Sequence, residues 1–411
     1  MDQAAWAARI RAQIDYESHR EGPPEGFPVL PPIPTGRYVS PQFFALERQH
    51  LWNKTWLLVA RAEELPGRGD FRRIDRPGLP LFLVRGDDDV LRAFFNTCQH
   101  RGAPVVRDEC GTAKRLRCQY HSWTYDLAGK LVAVPDRRDF TSLAESERSL
   151  KSVRCETHDG WVFVNLDVDA RPLREWLGPI ADEWAPLGGA SLRAAGTRRK
   201  RVAANWKIVA DAFLETYHVR TIHPASVAKL LDHRGAAMAL FRNGHSRMVT
   251  PKWESATSKQ RAAPFPLPPI PGLDPLFAET NPAYSVFPNL ITPLDTIGFP
   301  FIGFWPVDVE TTDVEWTFYG PPARTPEHEK AWAHYIGVFD AVMDEDFQNL
   351  APMHRSVASG ALDSIPLNYQ ERRIHHLHEE IDRVIGVAHI PEALRVTPVL
   401  EAFCEPAPAG G

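Results

Sequence analysis

Two cysteine–histidine pairs place the tightest constraint on how this chain can fold. Cys98 and His100 form the first pair and Cys118 and His121 the second, in the pattern C-x-H-x17-C-x2-H. Thiolate and imidazole ligands at this spacing require two loops that approach each other around a metal centre. Over residues 55–167, short runs rich in β-branched and aromatic residues alternate with Pro-Gly and Gly-Asp turns. The sequence therefore predicts a small antiparallel β domain that holds metal.

Each pair combines one thiolate with one imidazole, and this pairing bears on the kind of metal. A zinc finger normally takes two cysteines from one loop and two histidines from a helix. A [2Fe–2S] centre in which one iron binds both cysteines and the other binds both histidines accepts the mixed pairing. We predict such a cluster, with structural zinc as the alternative. Cys110, Cys155 and Cys404 have no histidine at either spacing, so we interpret them as ordinary small apolar residues.

The stretch 205–224, NWKIVADAFLETYHVRTIHP, predicts a second metal site. Read as a helix, it places Asp211, Glu215 and His218 on one stripe, because residues three and four apart share a face. His223 lies about 140° further round than His218, so both imidazoles reach one metal only if the helix ends between them. Two histidines and a carboxylate on one face of Fe(II) leave open positions for O2 and substrate. The alternative is an amphipathic core helix with hydrogen-bonded histidines.

Composition excludes several classes of partner. The chain of 411 residues is 44% hydrophobic and 24% charged, which is typical of a globular protein with room for two domains. A net charge of -5 offers no polycationic surface, so we expect neither nucleic acid nor membrane as a partner. The N-terminal residues lack the apolar core of a secretory signal. Five cysteines are too few for a disulfide framework, which favours a cytoplasmic location.

The order of predicted elements indicates an α+β fold in two domains with an N-terminal extension. Residues 1–44 should form a helix and a Pro-rich arm that packs on the catalytic domain. Residues 45–167 should form the small antiparallel β domain, and residues 168–411 a larger catalytic domain with an antiparallel sheet and helices that carry mononuclear iron. Helices are predicted at 205–219, 326–350 and 369–385, and strands at the runs SRMVT, AYSVF, LITPL, FIGFWPV and VEWTFYG.

These motifs resemble those of the large (alpha, terminal oxygenase) subunits of Rieske non-haem iron oxygenases, in the aromatic-ring-hydroxylating dioxygenase superfamily. The resemblance covers about Pro41 to Ile381 and rests on CQHRG, CQYHSWTYDLAGKL, the stretch 205–224 and DEDFQNL. It implies a Rieske [2Fe–2S] cluster and a mononuclear Fe(II). The implied cluster ligands are Cys98, His100, Cys118 and His121. The implied iron ligands are His218, His223 and an aspartate of DEDF, for which we choose Asp346 over Asp344.

The resemblance also implies a role for a carboxylate beside the iron. Members of the family are trimers in which the cluster of one subunit passes electrons to the iron of the next through a bridging carboxylate. Glu215 holds that position, and we predict Glu215 and Asp211 as catalytic residues. Many ring-dihydroxylating members have aspartate at the bridging position. In having glutamate at this position, the chain resembles the branch that includes carnitine and related quaternary-amine oxygenases.

The family's electron supply indicates a protein partner. The chain has no G-x-G-x-x-G unit after a strand, so it carries no evident nicotinamide or flavin site. We therefore expect a separate NAD(P)H-dependent reductase, with or without a ferredoxin. The homotrimer is implied by the family resemblance alone.

A set of apolar side chains suggests the substrate. We predict that the pocket walls comprise Phe213, Leu214, Leu230, Phe287, Asn289, Ile291, Phe299 and Phe301. Such walls favour a hydrophobic, aromatic molecule, although the same rings could cage an alkylated ammonium group. The predicted function is hydroxylation of such a molecule with O2 by the terminal oxygenase component of a multicomponent Rieske system. The alternatives are oxidative N- or O-dealkylation at the same iron site, including demethylation of a quaternary ammonium compound, and an electron carrier without oxygenase activity.

A histidine-rich segment near the C-terminus is a weaker candidate for metal binding. His375, His376 and His378 lie among apolar residues at helical spacing. We expect the apolar residues to form the buried face of a helix and the histidines to be solvated or to lie at a subunit contact.

Overall fold

The computed structural model describes residues 2–76, 78–262, 266–323 and 325–405. The chain divides into two compact units, a smaller unit formed by Asn53–Trp176 and a larger unit that combines Met1–Trp52 with Leu177–Gly411. The predicted α+β class is confirmed, because antiparallel sheets are combined with helices. The domain limits chosen from the sequence, at residues 44 and 167, stay predictions.

The smaller unit is built on a seven-stranded antiparallel sheet. Its strands follow the spatial order Leu57–Arg61, Trp161–Asn165, Ser152–His158, Leu91–Phe95, Leu79–Arg85, Asp70–Arg76 and Cys110–Thr112. A three-stranded sheet adds Leu116–Arg117, Thr124–Tyr125 and Leu131–Ala133. Cys118 and His121 lie between the first two strands of this short sheet, so its hairpin presents the second cysteine–histidine pair.

One hydrophobic core of the smaller unit includes both pattern cysteines. Its buried members are Phe82, Val84, Phe94, Cys98, Val105, Val106, Leu116, Cys118, Trp123, Tyr125, Leu127, Leu131 and Leu150. Full burial of a large apolar side chain contributes about 1.5–3 kcal/mol, so this core can fix the loops that carry the cysteines.

The larger unit is built on an eight-stranded sheet. Its strands follow the order Arg193–Val202, Thr312–Gly320, Phe299–Pro306, Leu290–Pro293, Thr280–Val286, Ser246–Pro251, Ala237–Phe241 and Cys404–Glu405. All neighbours are antiparallel except the last two strands, which pair in parallel. All five strand runs predicted for the catalytic domain fall in this sheet.

Buried and half-buried side chains alternate along most of the strand Thr312–Gly320, as expected for a sheet with one face on the core. Val314, Trp316 and Phe318 are buried, while Glu315 between them is half-buried. The Glu315 carboxylate pairs with Arg199 on the neighbouring edge strand. One face of the strand therefore packs on the core. The other face carries ion pairs with the edge strand, whose charges oppose pairing of that edge with another chain.

Most helices belong to the larger unit, and Leu173–Leu177 lies at the end of the smaller one. Those of the larger unit are Gln3–His19, Gly36–Val39, Pro41–Leu46, the π-helix Glu47–Trp52, Pro179–Trp184, Trp206–Asp211, Val219–Ile222, Glu254–Ala262, Leu276–Glu279, Pro326–Ala358 and Arg372–Ile385. Among the described residues, none of these helices has the length and apolar character needed to cross a membrane.

The helix Pro326–Ala358 is the longest in the described chain, and we call it the long helix. Thr325 is its N-cap, and its side chain accepts the N–H of the third helical residue, as the Thr-Pro sequence predicts. The predicted end at Leu350 is wrong, because the helix continues through Pro352. The proline removes one hydrogen bond. Buried Val357 beyond it keeps the last two turns packed.

The histidine-rich helix Arg372–Ile385 is enclosed by its own chain. His375, His376 and His378 are 0%, 2% and 0% exposed, so the prediction that they are solvated or lie at a subunit contact is wrong. The Nε2 atom of His376 lies 2.8 Å from the carbonyl oxygen of Phe241. Each buried ring therefore needs a partner within the chain, and the sequence pattern alone did not supply one.

Buried ion pairs tie the N-terminal segment to the rest of the larger unit. Arg37 is fully buried, and its Nη1 donates to Asp382 Oδ1 at 2.5 Å. The buried Lys207 donates from Nζ to Glu47 Oε1 at 2.6 Å. Losing one member of such a pair would leave an uncompensated buried charge, so these contacts hold the segment in place.

Candidate metal centres

The two cysteine–histidine loops of the smaller unit share one backbone conformation. The N–H groups of Cys98 and Cys118 each donate to the carbonyl five residues further on, at 2.8 and 2.9 Å. Each loop reverses four residues after its cysteine, at Gly102 (φ 76°) and at Ser122 (φ 59°). Left-handed backbone favours glycine, and small serine is tolerated in its place. Two matching loops are the arrangement that a shared cluster requires.

The two loop histidines lie side by side. The ring centroids of His100 and His121 are 4.6 Å apart, and the His100 ring stacks on Trp123 at 4.9 Å. The Nδ1 atom of His100 is buried and has no hydrogen-bond partner. Burial, together with the charges of His121 and Arg101, lowers the pKa of His100. A neutral ring with an unsatisfied nitrogen is suited to bind iron.

The two loop cysteines complete the donor set. Cys98 and Cys118 are each 2% exposed and are not in a disulfide. Burial raises the pKa of the Cys98 thiol, so we expect the thiolate to form when metal binds rather than before. Two buried thiols and two adjacent imidazoles fit a Rieske [2Fe–2S] cluster.

A tyrosine hydroxyl contacts one of these sulfurs. Tyr125 Oη lies 3.4 Å from Cys98 Sγ and accepts the main-chain N–H of Gln99 at 3.0 Å. Burial raises the pKa of Tyr125, so the hydroxyl keeps its proton and can donate it towards sulfur. Hydrogen bonds to cluster sulfur stabilise the reduced, more negative state.

We expect Tyr125→Phe to lower the reduction potential of the cluster, because it removes the one donor hydroxyl described at Cys98. The measurement is a redox titration followed by the cluster's electron paramagnetic resonance signal. An unchanged potential in a variant with full cluster content would contradict this role.

The prediction of one continuous helix over residues 205–219 is wrong. Helix Trp206–Asp211 begins as expected, because the Asn205 side chain caps it by accepting the N–H of Lys207 at 3.1 Å. It ends at Asp211, and the next helix begins only at Val219.

Glu215 explains the interruption. Its Oε2 accepts the main-chain N–H groups of Tyr217 and His218, the latter at 3.2 Å. These bonds replace those that a continuous helix would make. After this turn the rings of His218 and His223 lie close together, with their centroids 5.2 Å apart.

His218, His223 and Asp346 converge on one point. Their candidate ligand atoms all lie within 4.8 Å of one another, and they are the one such group of three found among the described residues. Asp346 Oδ1 is 3.6 Å from His218 Nε2 and 3.0 Å from His223 Nε2. This arrangement fits the two-histidine, one-carboxylate site of non-haem Fe(II), which leaves ligand positions open on the opposite side.

The long helix supplies the carboxylate and separates it from its neighbours. Asp346 is 8% exposed and faces the histidines. Asp344 pairs with Lys200 on the edge strand Arg193–Val202, and its side chain is 59% exposed. The structure therefore brings Asp346 to the two imidazoles and directs Asp344 elsewhere.

Electrostatics at the histidines follows from these carboxylates. Burial works to lower the pKa of both rings. The Glu215 and Asp346 carboxylates outweigh it at His218, and Asp346 and Glu345 outweigh it at His223, so both pKa values are raised. The pocket that receives the two rings is therefore strongly anionic, which favours a divalent cation.

Both histidines also contact a carboxylate through Nδ1. Glu215 Oε1 contacts His218 Nδ1, and Glu345 Oε2 lies 2.6 Å from His223 Nδ1. Sequence reasoning found Glu215 and missed Glu345. The signal was present, because a metal-binding histidine usually needs a second partner and Glu345 is adjacent to the predicted ligand.

Asp211 lies away from this convergence, and its catalytic role stays a prediction. Its Oδ2 accepts the Tyr38 hydroxyl at 2.7 Å and lies 3.6 Å from His378 Nε2. Its Oδ1 is buried without a partner. Burial raises the pKa of Asp211 to about 7, against the opposing effects of the Tyr38 hydrogen bond and the charges of Lys207 and Arg37.

This pKa predicts how stability depends on pH. The folded pKa of Asp211 lies above its unfolded value of 3.8, so folding is progressively disfavoured as pH rises between these values. The free energy of unfolding of Asp211→Asn, measured relative to that of the parent, should therefore rise by on the order of 2–3 kcal/mol from pH 5 to pH 8. Thermal unfolding of both proteins at several pH values measures the gap, with exposed Asp344→Asn as the control. A gap that does not change with pH would contradict the shift.

The predicted pocket walls are mostly buried. Six of them are 0–5% exposed, namely Leu214, Phe287, Asn289, Ile291, Phe299 and Phe301. Phe213 is half-buried, and Leu230 is 38% exposed. Their part in substrate binding stays a prediction.

Two protein-family models match the two halves of this architecture. The Rieske [2Fe-2S] domain matches residues 55–153, and the catalytic domain of the ring hydroxylating alpha subunit matches residues 182–387. The Rieske match contains both cysteine–histidine loops, and the catalytic match contains all three converging residues.

This chain is similar over about half of its length to two curated relatives. It is 31% identical to 2-aminobenzenesulfonate 2,3-dioxygenase subunit alpha of Alcaligenes sp, over 51% of this chain and 55% of that protein. It is 33% identical to the carnitine monooxygenase oxygenase subunit of Escherichia coli K12, over 49% of this chain and 55% of that protein. The chain spans about half the length of these relatives.

Solved structures share the fold over a longer stretch. A quaternary ammonium Rieske monooxygenase aligns with a TM-score of 0.74 at 23% identity, over 89% of this chain and 99% of that one. Naphthalene 1,2-dioxygenase from Rhodococcus sp. aligns with a TM-score of 0.71 at 21% identity, over 94% of this chain and 99% of that one. The catalytic-domain match covers half of the chain. The chain therefore belongs to the family of ring-hydroxylating alpha subunits that carry a Rieske [2Fe–2S] domain and a mononuclear iron domain.

Proposed function

We propose that this chain is the terminal oxygenase component of a multicomponent Rieske system that uses O2 to oxidise a small organic molecule. The observation that carries the proposal is the convergence of His218, His223 and Asp346 in a chain that also holds a two-cysteine, two-histidine cluster motif. An electron carrier would need only the second of these. The complete iron site therefore argues against an electron-transfer protein without oxygenase activity.

The residues divide the work between two centres. When bound, the [2Fe–2S] cluster supplies electrons one at a time, and mononuclear Fe(II) supplies the place where O2 is activated. Cys98, His100, Cys118 and His121 would hold the cluster. His218, His223 and Asp346 would hold the iron from one side and leave the other side free for O2 and substrate.

Glu215 is proposed to link the two centres between subunits. Its Oε1 contacts His218 Nδ1, and its Oε2 is engaged by main-chain N–H groups of the same turn. The side chain is 10% exposed, and the neighbouring Tyr217 is 53% exposed. Tyr217 thus marks an exposed edge beside the iron ligand, where a neighbour's cluster domain would have to approach, so we propose a homotrimer with Glu215 as the bridge.

The electrons require a partner that the described chain does not supply. We propose a separate NAD(P)H-dependent reductase, acting directly or through a ferredoxin. A net charge of -5 is compatible with a soluble electron-transfer partner that docks through a basic patch.

The proposed substrate is a hydrophobic, aromatic small molecule that is hydroxylated. The mainly apolar predicted walls and the similarity to 2-aminobenzenesulfonate and toluate dioxygenase subunits support this class. A second candidate is oxidative N- or O-dealkylation, including demethylation of a quaternary ammonium compound. Glu215 in place of the more common aspartate and the similarity to carnitine and glycine betaine monooxygenase subunits favour it.

A product screen separates these candidates. The purified protein is supplied with a surrogate reductase, NADH and O2, and it is offered aromatic acids, aromatic amines and quaternary ammonium compounds. Ring hydroxylation adds oxygen to the product mass, whereas demethylation removes a methyl group and releases formaldehyde. Asp346→Ala is the matched blank. Reductase-dependent oxidation that is equal in parent and Asp346→Ala would overturn the proposed site.

A further inference from the structure

We propose that Glu345 is a positioning residue that, together with Ser226, holds His223 in the orientation and tautomer needed to bind metal. The inference rests on the proposed function, because it assigns His223 to the iron. It concerns a residue beside the ligand set rather than a ligand.

Consecutive carboxylates of the long helix engage the two nitrogens of one imidazole. Asp346 Oδ1 lies 3.0 Å from His223 Nε2, and Glu345 Oε2 lies 2.6 Å from His223 Nδ1. A carboxylate at Nδ1 fixes the proton there and leaves the lone pair of Nε2 for the metal. His223 is 2% exposed, so its ring is shielded from bulk water and Glu345 is the partner of its Nδ1.

The Glu345 carboxylate is itself held in place. Ser226 Oγ donates to Glu345 Oε2 at 2.6 Å, and the Ser226 main-chain N–H donates to the carbonyl of His223 at 3.2 Å. On the helix side, Asn349 Nδ2 donates to the main-chain carbonyl of Glu345 at 3.0 Å. Glu345 Oε2 therefore joins the long helix to the segment that carries His223 and Ser226.

The arrangement at His223 matches that at His218. Each ring presents Nε2 towards Asp346 and Nδ1 to a glutamate. The two glutamates come from different elements, since Glu215 belongs to the loop and Glu345 to the long helix. With Asp346 they place three carboxylates around the site, which strengthens the attraction for a divalent cation.

Neighbouring acids provide a matched comparison. Asp344 precedes Glu345 on the same helix, carries the same charge and pairs with Lys200 instead of a histidine. Glu345→Ala removes the contact with His223, Glu345→Gln removes its charge, and Ser226→Ala releases the carboxylate. Asp344→Asn removes a nearby charge without touching the histidine.

The experiment measures metal binding rather than turnover. The mononuclear site is emptied by mild chelation with the cluster intact, and Fe(II) affinity is then measured by titration. We expect Glu345→Ala to weaken Fe(II) binding about 10- to 100-fold. Glu345→Gln and Ser226→Ala should change affinity in the same direction by less, and Asp344→Asn should bind as the parent does.

A spectroscopic reading distinguishes positioning from general loss of stability. Co(II) bound at the emptied site reports ligand geometry through its visible absorption, and we expect Glu345→Ala and Glu345→Gln to alter that spectrum. Unchanged affinity and an unchanged Co(II) spectrum in both variants would overturn the inference. If Glu345→Ala does not fold, Glu345→Gln and Ser226→Ala decide, with circular dichroism and thermal unfolding as the check of folding.

Failure of the inference is separable from failure of the proposed function. Asp346→Ala is titrated in parallel. If it loses Fe(II) while the Glu345 variants bind like the parent, only the positioning role is overturned. If Asp346→Ala binds Fe(II) like the parent, the iron site itself is wrongly assigned.

Discussion

Replacing Asp346 with alanine is expected to empty the mononuclear iron site and abolish substrate oxidation while the cluster spectrum stays intact. Asp346 Oδ1 is the atom shared by both imidazoles, at 3.6 Å from His218 Nε2 and 3.0 Å from His223 Nε2. Without it, two nitrogens remain, and a neutral pair binds Fe(II) weakly. The cluster ligands lie in the other compact unit, so they should be unaffected.

The measurement combines iron content, the cluster's visible spectrum and turnover. His218→Ala should behave like Asp346→Ala, because it removes a second ligand of the same metal. Asp344→Asn is the control and should keep iron and activity. Loss of iron in Asp344→Asn with retention in Asp346→Ala would show that the wrong aspartate was chosen.

Glu215→Gln is expected to slow oxidation of the cluster by O2 and substrate by about 100-fold, with both metal sites still filled. The amide is close to isosteric and can still accept the N–H of His218 at 3.2 Å, so the turn should persist. It lacks the negative charge that orients the His218 ring and would bridge towards a neighbour's cluster. Electron transfer should therefore fail while the iron is retained.

Single-turnover stopped flow tests this expectation. Protein with a reduced cluster is mixed with oxygenated substrate, and the return of the oxidised cluster's absorbance gives the rate. The metal content of each sample is measured first, so that iron loss cannot imitate slow transfer. An oxidation rate equal to that of the parent would exclude the bridging role.

The sequence predicted the parts of this protein that depend on spacing and residue type. The pattern C-x-H-x17-C-x2-H indicated a cluster, because mixed thiolate and imidazole pairs at that spacing suit few other centres. Thr325 and Pro326 predicted the start of the long helix, because an N-cap hydroxyl and an N1 proline act locally. Five runs rich in β-branched and aromatic residues predicted strands of the larger unit's sheet, because such side chains favour a pleated, packed surface.

The sequence did not predict features that arise from tertiary contacts. The stripe over residues 205–219 indicated a continuous helix, yet the Glu215 side chain competes for main-chain N–H groups and ends it. Glu345 was missed because its contact with His223 spans 122 residues of sequence. The prediction that His375, His376 and His378 are solvated was wrong, because the spacing of apolar residues identifies only one buried face of a helix. It cannot show that a helix such as Arg372–Ile385 is covered on its other faces as well.

The central claim is that one chain carries a [2Fe–2S] cluster and a separate mononuclear iron, and the most direct test is metal and sulfide analysis joined to electron paramagnetic resonance. For protein made anaerobically with ample iron, the account predicts about three irons and about two acid-labile sulfides per chain. It also predicts a Rieske signal on reduction that His100→Cys alters or abolishes. One zinc per chain with no acid-labile sulfide, and no signal from the reduced protein, would contradict it.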